Sequence, residues 1–231
     1  MLVSMKKSFD EERRKLVEKL IHEGILKSQS VIRAMLTVPR ELFVPYKYRE
    51  LAYIDAPLPT LEGQTISAPH MVAIICELLM LDVGMKVLEV GGGSGYHAAV
   101  CAEIVAPKDI PREKWGHVYT IERIPALVEF ARENLRRCGY DDRVDVVLGD
   151  GTLGYEEAAP YDRIFVTAAA PSIPKPLIDQ LKDGGRIVIP IGGSFYQELI
   201  VGLKKGDELL TFSAGGCVFV PLIGKYGWKE Y

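Results

Sequence analysis

The stretch Lys86-Val87-Leu88-Glu89-Val90-Gly91-Gly92-Gly93-Ser94-Gly95-Tyr96-His97-Ala98-Ala99 constrains the fold more than any other part of the chain. Extended-favouring residues run into a turn where four of five residues are glycine, and an alanine-rich segment of helical periodicity follows. The pattern reads as strand, tight turn, helix. Such a turn lets backbone approach a ligand closely, and glycine takes the positive φ angles it demands without strain. A cofactor site is the first expectation. The dinucleotide fingerprint G-x-G-x-x-G would need glycine where Tyr96 stands, and the phosphate loop G-K-[ST] occurs nowhere in the chain, so both nucleotide readings weaken.

What stands here is Glu89-x-Gly91-x-Gly93-x-Gly95, an acidic residue in the strand followed by alternate glycines. This resembles motif I of the S-adenosylmethionine-dependent methyltransferases with a Rossmann-like fold. That cofactor carries no phosphate, so the resemblance implies a turn packed against an amino-acid moiety and a ribose.

The flanking chain alternates strands with helices, which implies a parallel sheet covered on both faces. Strands are expected at 86–90, His117 to Ile121, Val144 to Leu148, Arg163 to Thr167 and Arg186 to Ile191. Helices are expected from Met71 to about Gly84, through Val105, from Pro125 to Gly139 and over Lys175 to Leu181. Upstream, Ser8-Phe9-Asp10-Glu11 has the S-x-x-E form of a capping box ahead of an amphipathic helix ending at Gly24, and a second helix covers Gln29 to Thr37. Residues 39–63 lose periodicity among prolines and tyrosines, a long irregular stretch of the kind that is often functional and is read here as a mobile cover for a peptide. Ala106 to Gly116 reads as a surface insertion. Glu198 to Leu203 and Leu209 to Phe212 read as an antiparallel hairpin, with Gly216 to Leu222 as a further strand.

The expected fold class is therefore α/β: a Rossmann-like, doubly wound, mostly parallel sheet with helices on both faces, a helical lead-in (1–63) and C-terminal antiparallel strands. One domain over 1–231 is expected, with the core in 64–231. A net charge of −3 gives no electrostatic reason to expect nucleic acid. No apolar run is long enough to span a bilayer, and Met1 to Asp10 lacks the apolar core of a signal peptide, whether Met1 or Met5 is the start. The four cysteines show no C-x-x-C pair and the four histidines no H-E-x-x-H, so no metal site is expected and a reducing cytoplasm suits the thiols.

Ligands of open α/β sheets sit at the carboxyl ends of strands. Gly91 to Gly95 follows the first wound strand, Glu122 ends the second, and Gly149-Asp150-Gly151 follows the third. A carboxylate after the second strand suits ribose hydroxyls, and the 106–116 insertion explains why Glu122 lies 31 residues beyond Gly91 rather than about 20. Read alone, Asp150 is a turn residue and Ser67 a helix cap.

Four further segments are more specific: Thr65-Ile66-Ser67-Ala68-Pro69-His70-Met71, Val118 to Arg123, Pro160 to Pro171 and Leu181 to Gly192, with Val218-Phe219-Val220-Pro221-Leu222 near the end. Together they resemble the signature segments of the protein-L-isoaspartate O-methyltransferase family, from about Gly24 onward. The resemblance implies transfer of a methyl group from S-adenosylmethionine to the α-carboxylate of L-isoaspartyl residues in damaged proteins and peptides, leaving S-adenosyl-L-homocysteine. It implies Ser67 as the active-site residue. Gln64, Thr65, Ile66 and His70 match positions around cofactor and substrate; Glu89 matches the acidic residue of motif I among the cofactor-binding positions, and Gly91, Gly92, Gly93, Ser94 and Gly95 match the methionine-moiety loop. Glu122 with Arg123 matches the ribose position, and Gly149, Asp150 and Gly151 the adenine side. Gly92 stands where serine or threonine is common. The alternatives are a methyltransferase acting on a small molecule or RNA, a nicotinamide oxidoreductase, and a binding module that has lost activity.

Overall fold

Alternate residues of the central strands divide between two cores. Val87, Val118, Phe165 and Val188 join one hydrophobic cluster, whereas Leu88, Ile121, Ile164 and Ile187 join another. Strands that bury both faces read as near-continuous apolar runs, which is how these segments read in sequence. The structure is a computed structural model that describes residues 8–229; Met1 and Met5 lie outside the described residues.

The helices are α1 (Phe9–His22), α2 (Gln29–Thr37), α3 (Pro69–Leu79), α4 (Tyr96–Val105), α5 (Pro125–Cys138) and α6 (Lys175–Asp179). The strands are β1 (Leu58–Pro59), β2 (Thr65–Ile66), β3 (Lys86–Val90), β4 (His117–Glu122), β5 (Val144–Leu148), β6 (Tyr161–Val166), β7 (Leu181–Gly192), β8 (Gln197–Lys205) and β9 (Glu208–Cys217). β1 and β2 form a small antiparallel ladder. The other seven strands form one sheet in the order β5-β4-β3-β6-β7-β8-β9, parallel from β5 to β7 and antiparallel at β8 and β9. The chain winds outward from β3 through β4 to β5, then returns to β6 on the other side of β3. That reversal creates a crevice at the carboxyl end of β3, where open α/β sheets bind ligands.

The two faces are covered unequally. α3 and α4 lie on one face, and α2 packs on the outside of α4. Every residue of α4 is buried, His97 and Glu103 included, because the helix is enclosed between the sheet and another helix. Each fully buried valine or isoleucine there contributes roughly 1.5–3 kcal/mol. The other face is closed by the short α6 and irregular segments, with Leu177, Tyr155 and Leu222 against Leu88 and Ile164. No helix among the described residues is long and apolar enough to cross a membrane.

Several boundaries differ from the sequence reading. Ser8 caps α1 through its carbonyl, which accepts the amides of Glu11 and Glu12, and makes no side-chain cap. Ala68, not Ser67, is the cap residue of α3. Residues 39–63 are built rather than loose: 3₁₀ turns occupy Arg40–Leu42 and Tyr46–Leu51, and buried Arg40, Phe43 and Ala52 anchor them. α6 stops at Asp179 and β7 begins at Leu181, so it is longer than expected. β9 runs to Cys217, and residues 218–222 add no strand to it. Instead the tail crosses the end of β6, where Ala169 donates to Val220 and Leu222 donates to Ala169 (2.7 and 2.8 Å). Pro221 has no N–H with which to extend a ladder.

Candidate active site

The glycine turn is wedged between the strands on either side of β3. The Gly91 amide donates to Ile121 O of β4 at 2.8 Å, while the Gly91 carbonyl accepts from Thr167 Oγ1, just beyond β6, at 2.6 Å. Gly91, Gly93 and Gly95 have φ of 97°, 53° and 83°, a region other residues rarely adopt. A Cβ on Gly91 would run into Thr167 Oγ1, and one on Gly92 into Thr120 Oγ1. The first obstacle to a side chain is thus the neighbouring strands, and at Gly93 nothing stands near the Cβ position.

Glu122 ends β4 at the crevice. Its Oε2 accepts from the Gly93 amide and its Oε1 from the Ile124 amide, each at 3.0 Å. Two amides leave lone pairs over on both oxygens, so the carboxylate can still accept from hydroxyls. Glu89, buried at 1% exposure, accepts from Thr120 Oγ1 at 2.6 Å. Burial pushes its carboxyl well above the usual carboxylate range, the Thr120 hydrogen bond opposes this, and the nearby Glu122 charge adds to it.

Two cavities meet across the turn. The larger, about 810 Å³, includes Ser67, His70, Glu89, Ser94, Ile66 and Gly92 in its wall. The smaller, about 80 Å³, includes Gln64, Glu122, Arg123, Ile124, Gly151 and Leu222. Thr65, Gly91, Gly93, Thr167 and Val220 belong to both. Of the residues expected at the site, Gly95, Gly149 and Asp150 line neither. Gly95 lies under α5, close to Leu135 and Ala131, and the Gly149 amide donates to Glu122 O at 3.0 Å. The Asp150 carboxylate accepts from Thr152 N (2.9 Å), Thr152 Oγ1 (2.7 Å) and the distant Lys225 N (2.8 Å), so it pins the tail beside the smaller cavity.

The N-terminal segment fixes the other rim. Arg40, fully buried, donates to Ala52 O and to Ser67 O, both at 2.8 Å, and its guanidinium lies 4.9 Å from the Tyr96 ring centroid. Burial lowers its pKa. Asp55 Oδ1 accepts from both the amide and Nδ1 of His70, each at 2.9 Å. Burial alone would raise the Asp55 carboxyl, but the two His70 hydrogen bonds, with the charges of His70 and Lys19, outweigh it and the net shift is downward. Tyr53 donates to Glu41 and accepts from Arg13 Nε at 2.7 Å, which ties this segment to α1. Desolvation is the main reason its phenol is pushed far up. Arg40 carries no signal in the sequence, since one arginine in an aperiodic stretch looks like surface. At the mouth of the larger cavity, Phe195, Tyr196 and Val218 stand exposed.

Comparison with known proteins meets this geometry. The family described as protein-L-isoaspartate(D-aspartate) O-methyltransferase matches residues 11–227. A protein-L-isoaspartate O-methyltransferase of Hyperthermus butylicus is 65% identical over 224 residues, covering 96% of this chain and 93% of the relative. That of Staphylothermus marinus is 57% identical over 98% of this chain and 100% of its own. Among solved structures, a protein-L-isoaspartate O-methyltransferase superposes with TM-score 0.81 at 35% identity, covering 93% of this chain and 67% of its own. A Plasmodium falciparum structure of the same description, in complex with S-adenosyl-L-homocysteine, gives 0.80 at 29% identity over 91% of this chain and 98% of its own. With the family matched from α1 to the tail, the chain belongs to the protein-L-isoaspartate(D-aspartate) O-methyltransferase family.

Proposed function

We propose that this chain uses S-adenosylmethionine to methylate the α-carboxylate of L-isoaspartyl residues in damaged proteins and peptides, acting as one catalytic unit in the cytoplasm. One observation carries the reading. Two cavities share the glycine turn, one reaching Glu122 and the other opening at Ser67 and His70, so a donor laid across the turn would bring its reactive group to a substrate entering from the wider side.

The residues present fit the cofactor. Glu122 keeps acceptor capacity for ribose hydroxyls, and Gln64, Arg123, Ile124 and Gly151 enclose the same compartment. Gly149 and Asp150 support that compartment from behind through the Glu122 carbonyl and the tail. Gly93, with nothing near its Cβ position, leaves room over the turn for the methionine portion. When bound, S-adenosylmethionine supplies a methyl group made electrophilic by its sulfonium.

Held between Glu122 and the glycine turn, the donor would give its methyl to a carboxylate oxygen of the substrate, with the sulfur leaving as a neutral thioether that keeps the bonding pair. A carboxylate with an ordinary pKa of about 4 is already anionic at neutral pH, so the protein needs no strong general base. Placement and exclusion of water are what remain, and together they can supply several kcal/mol. Ser67 is suited to hold the substrate carboxylate by hydrogen bonding; Arg40 fixes the Ser67 backbone and Asp55 fixes His70. The exposed Phe195, Tyr196 and Val218 offer apolar contact to an extended peptide. Attack of the following backbone nitrogen on the methyl ester then expels methanol and closes a succinimide, and water opening that ring returns part of the damaged residue to aspartate. Four free cysteines fit a reducing compartment. The chain has no charge bias toward nucleic acid.

Incubation with radiolabelled S-adenosylmethionine and matched peptides tests the reading. Label should enter the isoaspartyl peptide and spare the aspartyl one; equal label in both, or none in either, would sink it.

A further inference from the structure

His97 and Cys101 lie one turn apart in α4, and i,i+4 spacing puts them on one face of that helix. α3 contributes Cys76 to the same spot. Cys76 Sγ lies 3.4 Å from His97 Nε2, and one donor atom from each of the three residues falls within 4.8 Å of the others. Both thiols are fully buried and His97 is 6% exposed. Buried cysteines often serve only as small apolar side chains. One fact sets these apart: their donor atoms converge on a point shared with an imidazole, an arrangement that apolar packing alone does not call for.

We propose that Cys76, His97 and Cys101 form a buried three-donor site for a soft d¹⁰ cation, monovalent copper or zinc. Thiolate and imidazole donors select such ions. Bonds of about 2.3 Å to sulfur and about 2.0 Å to nitrogen set donors around one ion roughly 3.5–4 Å apart, within the convergence seen here. Binding is proton displacement without electron transfer. Two sulfur–metal bonds and one Nε2–metal bond form, whatever protons the two thiols carry pass to solvent, and the imidazole keeps its proton on Nδ1. His97 also lines the larger cavity, which gives an ion a way in. The donor count of three suits monovalent copper; charge neutrality with two thiolates suits zinc.

Reduced, metal-free full-length protein is titrated anaerobically with copper(I) held by bathocuproine disulfonate and, separately, with zinc against a chromogenic chelator. The expected result is one equivalent of at least one ion per chain, with two sulfurs and one nitrogen around it by X-ray absorption. Cys101→Ala removes a direct ligand and should weaken binding more than the roughly 10–100-fold that loss of an outer partner costs. Cys138→Ser with Cys217→Ser should leave it unchanged, since these half-buried thiols lie outside the cluster. Retained cofactor binding by calorimetry shows that Cys101→Ala is folded, and the absorption spectrum of the unaltered protein decides the matter if it is not. Binding of neither ion, a coordination shell without two sulfurs, or binding abolished by the Cys138 and Cys217 changes overturns the proposal. Methyl transfer is not the readout, so the proposed reaction stands or falls separately.

Discussion

The two sides of the glycine turn are built on different principles. The smaller cavity is made largely at strand ends: Glu122 closes β4, Gly151 follows β5, and backbone amides lock the carboxylate in place. The larger cavity is assembled from three distant stretches, 57–72, 89–97 and 195–220, together with Thr167, and its Ser67 rim depends on an arginine buried in the N-terminal segment. One grip rests on local geometry at the switch in strand order, the other on how remote segments pack. Damage should therefore separate cleanly, cofactor on one side and peptide on the other.

The largest separation is expected from Glu122→Ala. Two charge-assisted hydrogen bonds to the turn disappear along with the acceptor itself, so cofactor Kd by calorimetry should rise on the order of 100-fold. The peptide KM at saturating cofactor should stay within about 3-fold, because only one side of the turn is altered; a matching rise would show that the two compartments act as one. Next comes Arg40→Met. It leaves the Ala52 and Ser67 carbonyls without their donor, and denaturant unfolding should report a loss of about 2–4 kcal/mol. Peptide KM should climb about 10-fold while cofactor Kd barely moves.

Asp55→Asn should raise peptide KM several-fold, on the order of 1 kcal/mol, by loosening His70. It also carries a pH signature. The folded Asp55 carboxyl lies below its ordinary 3.8, so its contribution to stability is complete above that value and drains away as pH falls through the lower, folded one. Thermal unfolding across that acid range should fall less steeply in the variant; parallel curves would remove Asp55 from the account. The smallest effect belongs to Tyr53→Phe. The phenol bonds Arg13 and Glu41 and does not line the cavity, so peptide KM should change no more than about 2-fold while stability drops by about 1 kcal/mol.

What the sequence disclosed follows the same division. The strands, the turn and Glu122 were legible because each is written in contiguous residues: apolar runs, alternating glycines, a carboxylate where a strand stops. The Asp55–His70 bond spans fifteen positions and Arg40 reaches Ser67 across twenty-seven, distances at which no periodicity speaks. Residues 39–63 looked loose for the same reason, since 3₁₀ turns leave no stripe and their anchors are a buried arginine and scattered apolar residues. The glycine turn also misled in one respect. Glycine at 91 and 92 is required by Thr167 and Thr120 before any ligand arrives. The Cys76, His97 and Cys101 cluster escaped notice because a search for paired cysteines overlooks two thiols on separate helices.

The tail pinned by Asp150 has a consequence for how the enzyme comes into being. Leu222 and Ile223 wall the smaller cavity, where the Lys225 amide bonds Asp150 and the Trp228 amide bonds the Leu222 carbonyl. Completing the sheet and closing the smaller cavity are thus separate events in the chain, because the segment from Val220 to Ile223 that walls the cavity lies beyond the last strand.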